Sequence, residues 1–184
     1  FKEEHKQFDV LCTRLLGHAS AVATWAEHLG CSLDNAGRLL NQVGLYLRAC
    51  GQGEEAIKYY LHAIACGEMV EGADHPKVAV RINNLGVVYR ETGRLDEARE
   101  AFRRAIRIIK DAYGPADHML AMAMRNLVTV AEDSKDEREM ERTYRRALRV
   151  YADALGQTHP YVHECLYSLG RILGKRGDGR SEER

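Results

Sequence analysis

The sequence predicts an all-α protein built from repeats, and three observations carry the prediction. The residues that dominate the 184-residue chain are Ala, Leu, Arg and Glu, which are good helix formers. Val and Ile fall inside such stretches and not in alternating strand runs. Only three prolines are present, which leaves room for long uninterrupted helices. The chain also repeats itself every 42 residues. Gly30, Gly72, Gly114 and Gly156 share that spacing, as do Ala21, Ala63, Ala105 and Ala147. Val43, Leu85, Leu127 and Leu169 form a further column, and Tyr60, Phe102 and Tyr144 an aromatic one. A fixed period of this length marks a stacked-repeat architecture.

Taken in order, residues 1–32 read as degenerate N-terminal helices, a partial repeat. Leu15, Leu16, Val22, Trp25 and Leu29 keep helical spacing up to Gly30. Residues 33–176 read as three full 42-residue repeats plus the first helix of a fourth. Residues 177–184, with Gly177 and Gly179, read as a loop and C-terminal tail. Within each repeat the pattern is two helices. In 76–113, Val80, Leu85, Val88 and Tyr89 keep helical spacing, and Thr92-Gly93 then punctuates. Ala98, Phe102, Ala105, Ile106 and Ile109 share one face of a second helix, which Tyr113-Gly114 ends. Pro76 and Pro160 suit a first helical turn, so His75 and His159 just ahead read as caps. The small columns have a packing reason. Gly44, Gly86 and Gly170 admit a second helix closely, Ala63, Ala105 and Ala147 do so from the other side, and the aromatics fill the space between successive pairs. One such pair cannot bury its apolar face alone, but a stack can.

Composition narrows the function. With 27 basic and 27 acidic residues, the chain lacks the basic surplus usual in nucleic-acid or anionic-membrane binders. No apolar run approaches the roughly 20 residues of a membrane span. The chain starts at Phe1 with charge following, so no signal peptide is visible, and the segment reads as a piece of a longer cytoplasmic protein. The cysteines at 12, 31, 50, 66 and 165 contain no C-x-x-C and read as small buried hydrophobes. His159, His163 and Cys165 have metal-like spacing, but Cys165 lies off the face that the two His share on a helix. No metal site is expected. Met119, Met122, Met124 and Met140 read as core filler. The run Lys135–Arg142 reads as a solvated face, and His62 as exposed. No phosphate loop, dinucleotide fingerprint or nucleophile motif occurs. Neither enzyme activity nor a cofactor is expected.

The residues Asn84-Leu85-Gly86-x-x-Tyr89, followed by Ala98, Phe102 and Ala105, resemble the tetratricopeptide repeat signature. The longer unit from Gly72 through Asp74-His75-Pro76, Asn83-Asn84-Leu85-Gly86 and Gly93-Arg94 to Ala98 resembles the 42-residue variety of kinesin light chains. That variety also occurs C-terminal in bacterial STAND/NB-ARC-type NTPases. Gly37-Arg38-Leu39-Leu40-Asn41 resembles the start of such arrays. The resemblance implies a right-handed tetratricopeptide superhelix, an α-solenoid of antiparallel helix pairs. It implies a protein-interaction module, the sensor or scaffold region of a larger signalling protein. An autonomous adaptor of the kinesin light chain sort and a self-assembling oligomerisation module are the alternatives.

The resemblance further implies that the first helix of each pair lines a concave groove. Helical geometry then selects Arg38, Asn41, Leu45 and Arg48 in the first full repeat, and Val80, Asn83, Val87 and Arg90 in the next. Met122, Arg125, Thr129 and Glu132 follow, then Glu164, Tyr167, Arg171 and Gly174. Of these, Arg38, Asn41, Arg48, Asn83, Val87, Arg90, Arg125 and Arg171 are the expected binding residues. Arginine forks suit carboxylates, so the expected partner is an acidic peptide or protein. Gln42, Asn84 and Asn126, one column over, read as structural polar groups between helices. Nucleic acid and membrane are not expected partners, and self-association through exposed solenoid ends is a further expectation.

Overall fold

In the computed structural model the described residues are Gly17, Ala21 and 33–182, with side chains as far as Gly174. Residues 33–182 hold seven α-helices and no strand. They are α1 (Leu33–Ala49), α2 (Gly53–Glu71), α3 (Pro76–Glu91), α4 (Leu95–Tyr113), α5 (His118–Ser134), α6 (Glu137–Leu155) and α7 (Pro160–Glu182). Apart from Gly17 and Ala21, the degenerate segment with its Leu15–Leu29 pattern falls outside the described residues, as do Cys12 and Cys31. At the other end α7 continues to Glu182, so 177–182 is helix where Gly177 and Gly179 predict a loop. A glycine inside a helix costs only about 1 kcal/mol, and the neighbouring Lys175, Arg176, Arg180 and Glu182 are types that favour helix.

The periodic residues act as punctuation. Gly72, Gly114 and Gly156 end α2, α4 and α6 with φ of 95°, 87° and 92°, backbone that glycine adopts at little cost. A second turn column is Gly51 (φ 74°), Gly93 (φ 79°) and Lys135 (φ 57°). The turn survives where the glycine is lost, with Lys135 taking the left-handed conformation. Asp136 then caps α6, its carboxylate accepting from the backbone N–H of Arg138 at 2.9 Å and of Glu139 at 3.3 Å. His75 and His159 cap as expected: Nδ1 of each accepts an N–H, from Lys77 and Tyr161 respectively, at 3.2 Å. Where Asp117-His118 stands in the place of His75-Pro76, the Asp117 carboxylate is the cap and accepts from Met119 N–H at 2.7 Å.

The chain divides into two compact units, the first through Thr92 and the second from Gly93. The division falls at the turn inside the second repeat, where the repeat pattern alone predicts no boundary. In the first unit α1 packs on α2, and α3 packs on α2 while reaching α1. Ala36 and Leu40 meet Ala63 and Cys66 there, flanked by Leu33 and Tyr59. Tyr60 is fully buried. A Cβ on Gly44 would stand 3.0 Å from its ring, so the glycine is small because α1 closes on an aromatic side chain of α2. Tyr60 therefore fills space within a helix pair, where the aromatic column was expected to work between successive pairs.

In the second unit α4 packs on α5, α5 on α6, and α6 on α7. Phe102, Ile106 and Ile109 of α4 are buried, as are Leu120, Met124 and Leu127 of α5. Each such large side chain contributes about 2 kcal/mol of apolar burial. Gly170 departs from its column. It is exposed, and a Cβ there would meet nothing within 4 Å. The close approach expected at Gly170 is therefore missing among the described residues, because no described helix covers that side of α7.

Candidate protein-interaction face

In the first unit the register that buries Leu40, Val43, Leu47, Ile82, Leu85 and Val88 leaves another face of α1 and α3 open. Arg38 and Val80 on that face are exposed, while Asn41, Leu45, Arg48, Asn83, Val87 and Arg90 are half-buried. A hollow of about 270 Å³ opens there, lined by Arg38, Asn41, Gln42, Lys77, Val80 and Arg81.

Two of the expected binding residues are tied within the unit. Asn84 Nδ2 donates to Asn41 Oδ1 at 3.1 Å, which joins α3 to α1. Asn84 thus takes the inter-helix role expected of its column and brings Asn41 with it. Arg48 Nε and Nη2 donate to Glu91 at 2.8 and 2.7 Å. This two-pronged pair fills the Arg48 fork. In return Arg48, mainly by hydrogen bonding, holds the Glu91 carboxyl below the ordinary carboxylate value of 4.5. Glu91 had no place in the column reading, since it lies a whole repeat away from Arg48. Asn83 and Arg90 carry interactions of their own. Arg38 differs: among the described residues no ion pair or hydrogen bond engages it.

Arg81 is the residue that the columns missed. Only 4% of it is exposed. Its column holds Ala123 and Cys165 in later repeats, both buried. The room comes from α2, where Gly67 occupies the column filled by Ile109 and Tyr151. Large and small have traded sides. A Cβ on Gly67 would collide with Arg81 Nη1 and stand 3.0 Å from Val78 Cγ2, and one on Gly37 would stand 3.2 Å from the same Nη1. The seated guanidinium donates from Nη1 to the Ala63 carbonyl at 3.2 Å. It lies 3.6 Å from Asp34 and 4.0 Å from Glu71. Lys77 Nζ completes the group, 2.5 Å from Glu71 and 3.8 Å from Asp34. Two cations thus face two carboxylates, as a buried charge requires, and Arg38 remains as the cation of the hollow that no carboxylate among the described residues engages.

In the second unit, Arg125 of α5 lies over the Tyr161 ring of α7 at 4.5 Å and donates to its hydroxyl. Arg171 lies 5.9 Å over Tyr167 on its own helix. Arg171 also lines a hollow of about 280 Å³ with Glu132, Met140, Tyr144, Ser168 and Ile172 among its walls. Tyr144 donates to Glu132. Burial first, and that bond second, push its phenol up to about 12.

Other expectations meet the structure unevenly. Among the described residues no three of His, Cys, Asp and Glu converge on a metal position. His159 is a cap standing edge-on to Tyr161 at 4.8 Å, and His163 is exposed. Cys66 and Cys165 are buried, whereas Cys50 is exposed at the α1 end, which corrects the uniform reading of cysteines as core. Burial pushes the Cys165 thiol up to about 11. Of the methionines only Met124 is core. Met122 is 59% exposed, because its column faces away from α6. The charge-rich start of α6 is not simply solvated: Glu139 is half-buried and accepts from Arg99 Nη2 at 2.7 Å.

A family model described as tetratricopeptide repeat matches residues 35–111. No curated protein gives a significant sequence match. Among solved structures, the chain is similar to a Podosopora anserina protein described as kinesin light chain with nearly identical TPR-like repeats. The TM-score is 0.70 at 15% identity, covering 98% of this chain and 86% of that one. BtubC (BKLC) from P. vanneervenii gives 0.68 at 16% identity, covering 99% and 81%. The apo form of RapI gives 0.66 at 13% identity, covering 97% and 62%. At such identities the likeness is one of fold. Among the described residues no helix is long and apolar enough to cross a membrane. Residues 35–111 are tetratricopeptide repeats, and the chain carries the all-α fold of kinesin-light-chain-like tetratricopeptide proteins.

Proposed function

We propose that this segment is a non-catalytic protein-interaction module whose α1–α3 face holds an extended acidic segment of a partner. The observation that carries the reading is the hollow between those helices. Its Arg38 fork is unengaged among the described residues and can bind a carboxylate through two parallel hydrogen bonds. Arg90 and Asn83 extend the polar face, and Val80 and Val87 add apolar contact. Arg48 contributes by holding α1 to α3 through Glu91, more than by touching the partner. Arg125 and Arg171 occupy the corresponding columns of the second unit.

In the parent protein we assign the segment to the sensor or scaffold region of a cytoplasmic STAND-like signalling protein. The support is the resemblance of residues 37–41 to the start of such arrays. An autonomous adaptor is the second reading, favoured by the fold likeness to kinesin-light-chain-like structures. An NTPase domain upstream in the gene supports the first, and an upstream coiled coil the second. The direct test is an array of synthetic peptides of graded acidity. The wild-type chain should retain the acidic members, and Arg38→Glu with Arg90→Glu should weaken them roughly tenfold at unchanged helicity. Equal retention by wild type and variant would sink the face assignment.

A further inference from the structure

The outer face of α2 distinguishes it from the helices at the same place in later repeats. Leu61, Ala65 and Met69 stand four residues apart, so they form one ridge along the helix. Leu61 is 45% exposed and Met69 64%, with Ala65 exposed between them. The same columns hold Arg103, Arg107 and Asp111 in α4, and Arg145, Arg149 and Asp153 in α6. Two of the three helices thus present charge where α2 presents an apolar ridge. The opposite side of α2 carries its buried residues, Ala56, Tyr60, Ala63 and Gly67. The ridge therefore has no part in the core of its own unit.

We propose that this ridge is a self-association surface and that its occupant is the α2 ridge of a second copy of the chain. The argument is self-complementarity. When four-residue ridges of two helices interdigitate, the helices cross at about −50°. If a two-fold axis runs along the shared ridge direction, Leu61, Ala65 and Met69 each meet their own counterparts. The small Ala65 at the crossing lets the helices approach closely. His62 and Glu68 flank the ridge on opposite sides at its middle. The two-fold operation sets His62 of each copy opposite Glu68 of the other, so an imidazole N–H can donate to a carboxylate twice, as an isologous interface requires. The apolar ridge supplies attraction and the flanking pair selects this orientation. The surface is separate from the α1–α3 face, so the proposal stands whether or not that face binds an acidic segment. It also differs from association through an array end, because α2 is internal.

Analytical ultracentrifugation of the 184-residue chain across a micromolar concentration series tests the proposal. Wild type should show a reversible monomer–dimer equilibrium. Leu61→Arg with Met69→Asp installs the residues that the columns already carry in α4 and α6, so the variant should fold, as circular dichroism can verify. Its dimer dissociation constant should rise roughly tenfold or more. A second comparison tests the pairing itself. His62→Glu alone sets a carboxylate against Glu68, and Glu68→Arg alone removes the acceptor of the His62 N–H, so each should weaken the dimer. Mixing the two variants should restore association by pairing Glu at 62 with Arg at 68. A wild-type chain that stays monomeric throughout would overturn the proposal, as would a Leu61→Arg, Met69→Asp variant that dimerises like wild type. Failure of the mixture to regain affinity would overturn it too.

Discussion

Gly67→Ala isolates the seat of Arg81. Taken alone, replacing a glycine inside α2 by alanine should stabilise the helix by about 1 kcal/mol. The structure predicts the opposite sign. The new methyl would occupy the position of Arg81 Nη1 and crowd Val78. The guanidinium must then leave a site where it is 4% exposed, giving up the Ala63 carbonyl and its approach to Asp34 and Glu71. Breaking a buried ion pair costs about 3–5 kcal/mol. Lys77 stays 2.5 Å from Glu71, so the lower figure applies, and the net loss is about 2 kcal/mol. For a chain of this size that corresponds to a fall in Tm of about 6 °C. The assay is urea unfolding followed by circular dichroism, run also in an Arg81→Ala background. There the collision with Nη1 is gone and only the 3.0 Å approach to Val78 Cγ2 remains, so the loss should disappear or reverse, to at most about 1 kcal/mol of stabilisation. Gly170→Ala, where a Cβ meets nothing, should stabilise in either background by a similar amount. If Gly67→Ala stabilises the wild-type chain, or shifts both backgrounds equally, the account of the Arg81 seat is wrong.

Three further outcomes follow from the turns, the charges and the thiols. Lys135→Gly should raise stability by about 1 kcal/mol, because Lys135 alone in its column bears a left-handed φ without being glycine; urea midpoints read this directly, and a loss would count against the turn geometry. Glu91→Gln should cost at most about 1 kcal/mol at neutral pH, since the Arg48 pair is more than a third exposed and screened. The sign with pH is set by the lowered Glu91 value. The stabilisation is present above the ordinary value of 4.5 and lost as pH falls through the lower folded value. The gap between wild type and variant should therefore close in acid, as Tm against pH would record. Among Cys50, Cys66 and Cys165, brief alkylation of the native chain at mildly alkaline pH should label Cys50 alone. Cys66 is fully buried, and Cys165 is buried with its thiol pushed up to about 11. Peptide mapping by mass spectrometry checks this.

The parts of the fold that were legible in the sequence are those encoded within one column. Gly72, Gly114 and Gly156 repeat because each helix end needs positive φ, and His75 and His159 repeat because each caps the next helix. Such features need only local chain geometry, so spacing reveals them. Arg81 was illegible because its meaning lies in a pair of columns. An arginine among Ala123 and Cys165 looks anomalous until Gly67 is set against Ile109 and Tyr151. Comparing the sum of two facing columns across repeats would have found it. Arg48 shows the same limit from the binding side. Its column reads as open, but Glu91 meets it from the neighbouring helix, and only the fold brings the two together. Met122 and Cys50 read as core but are exposed, because hydrophobic character predicts burial on average, while position on the helix decides it for each residue.

The central claim is that the α1–α3 face is where this chain meets a partner. Amide and side-chain chemical shifts of the labelled chain, followed by NMR as an acidic peptide selected from the array is titrated in, test it most directly. The account predicts saturable shifts concentrated at Arg38, Asn41, Lys77, Val80 and Arg90, abolished by Arg38→Glu with Arg90→Glu. Shifts gathered instead on the outer face of α2, or spread evenly over surface lysines and arginines without saturation, would contradict it.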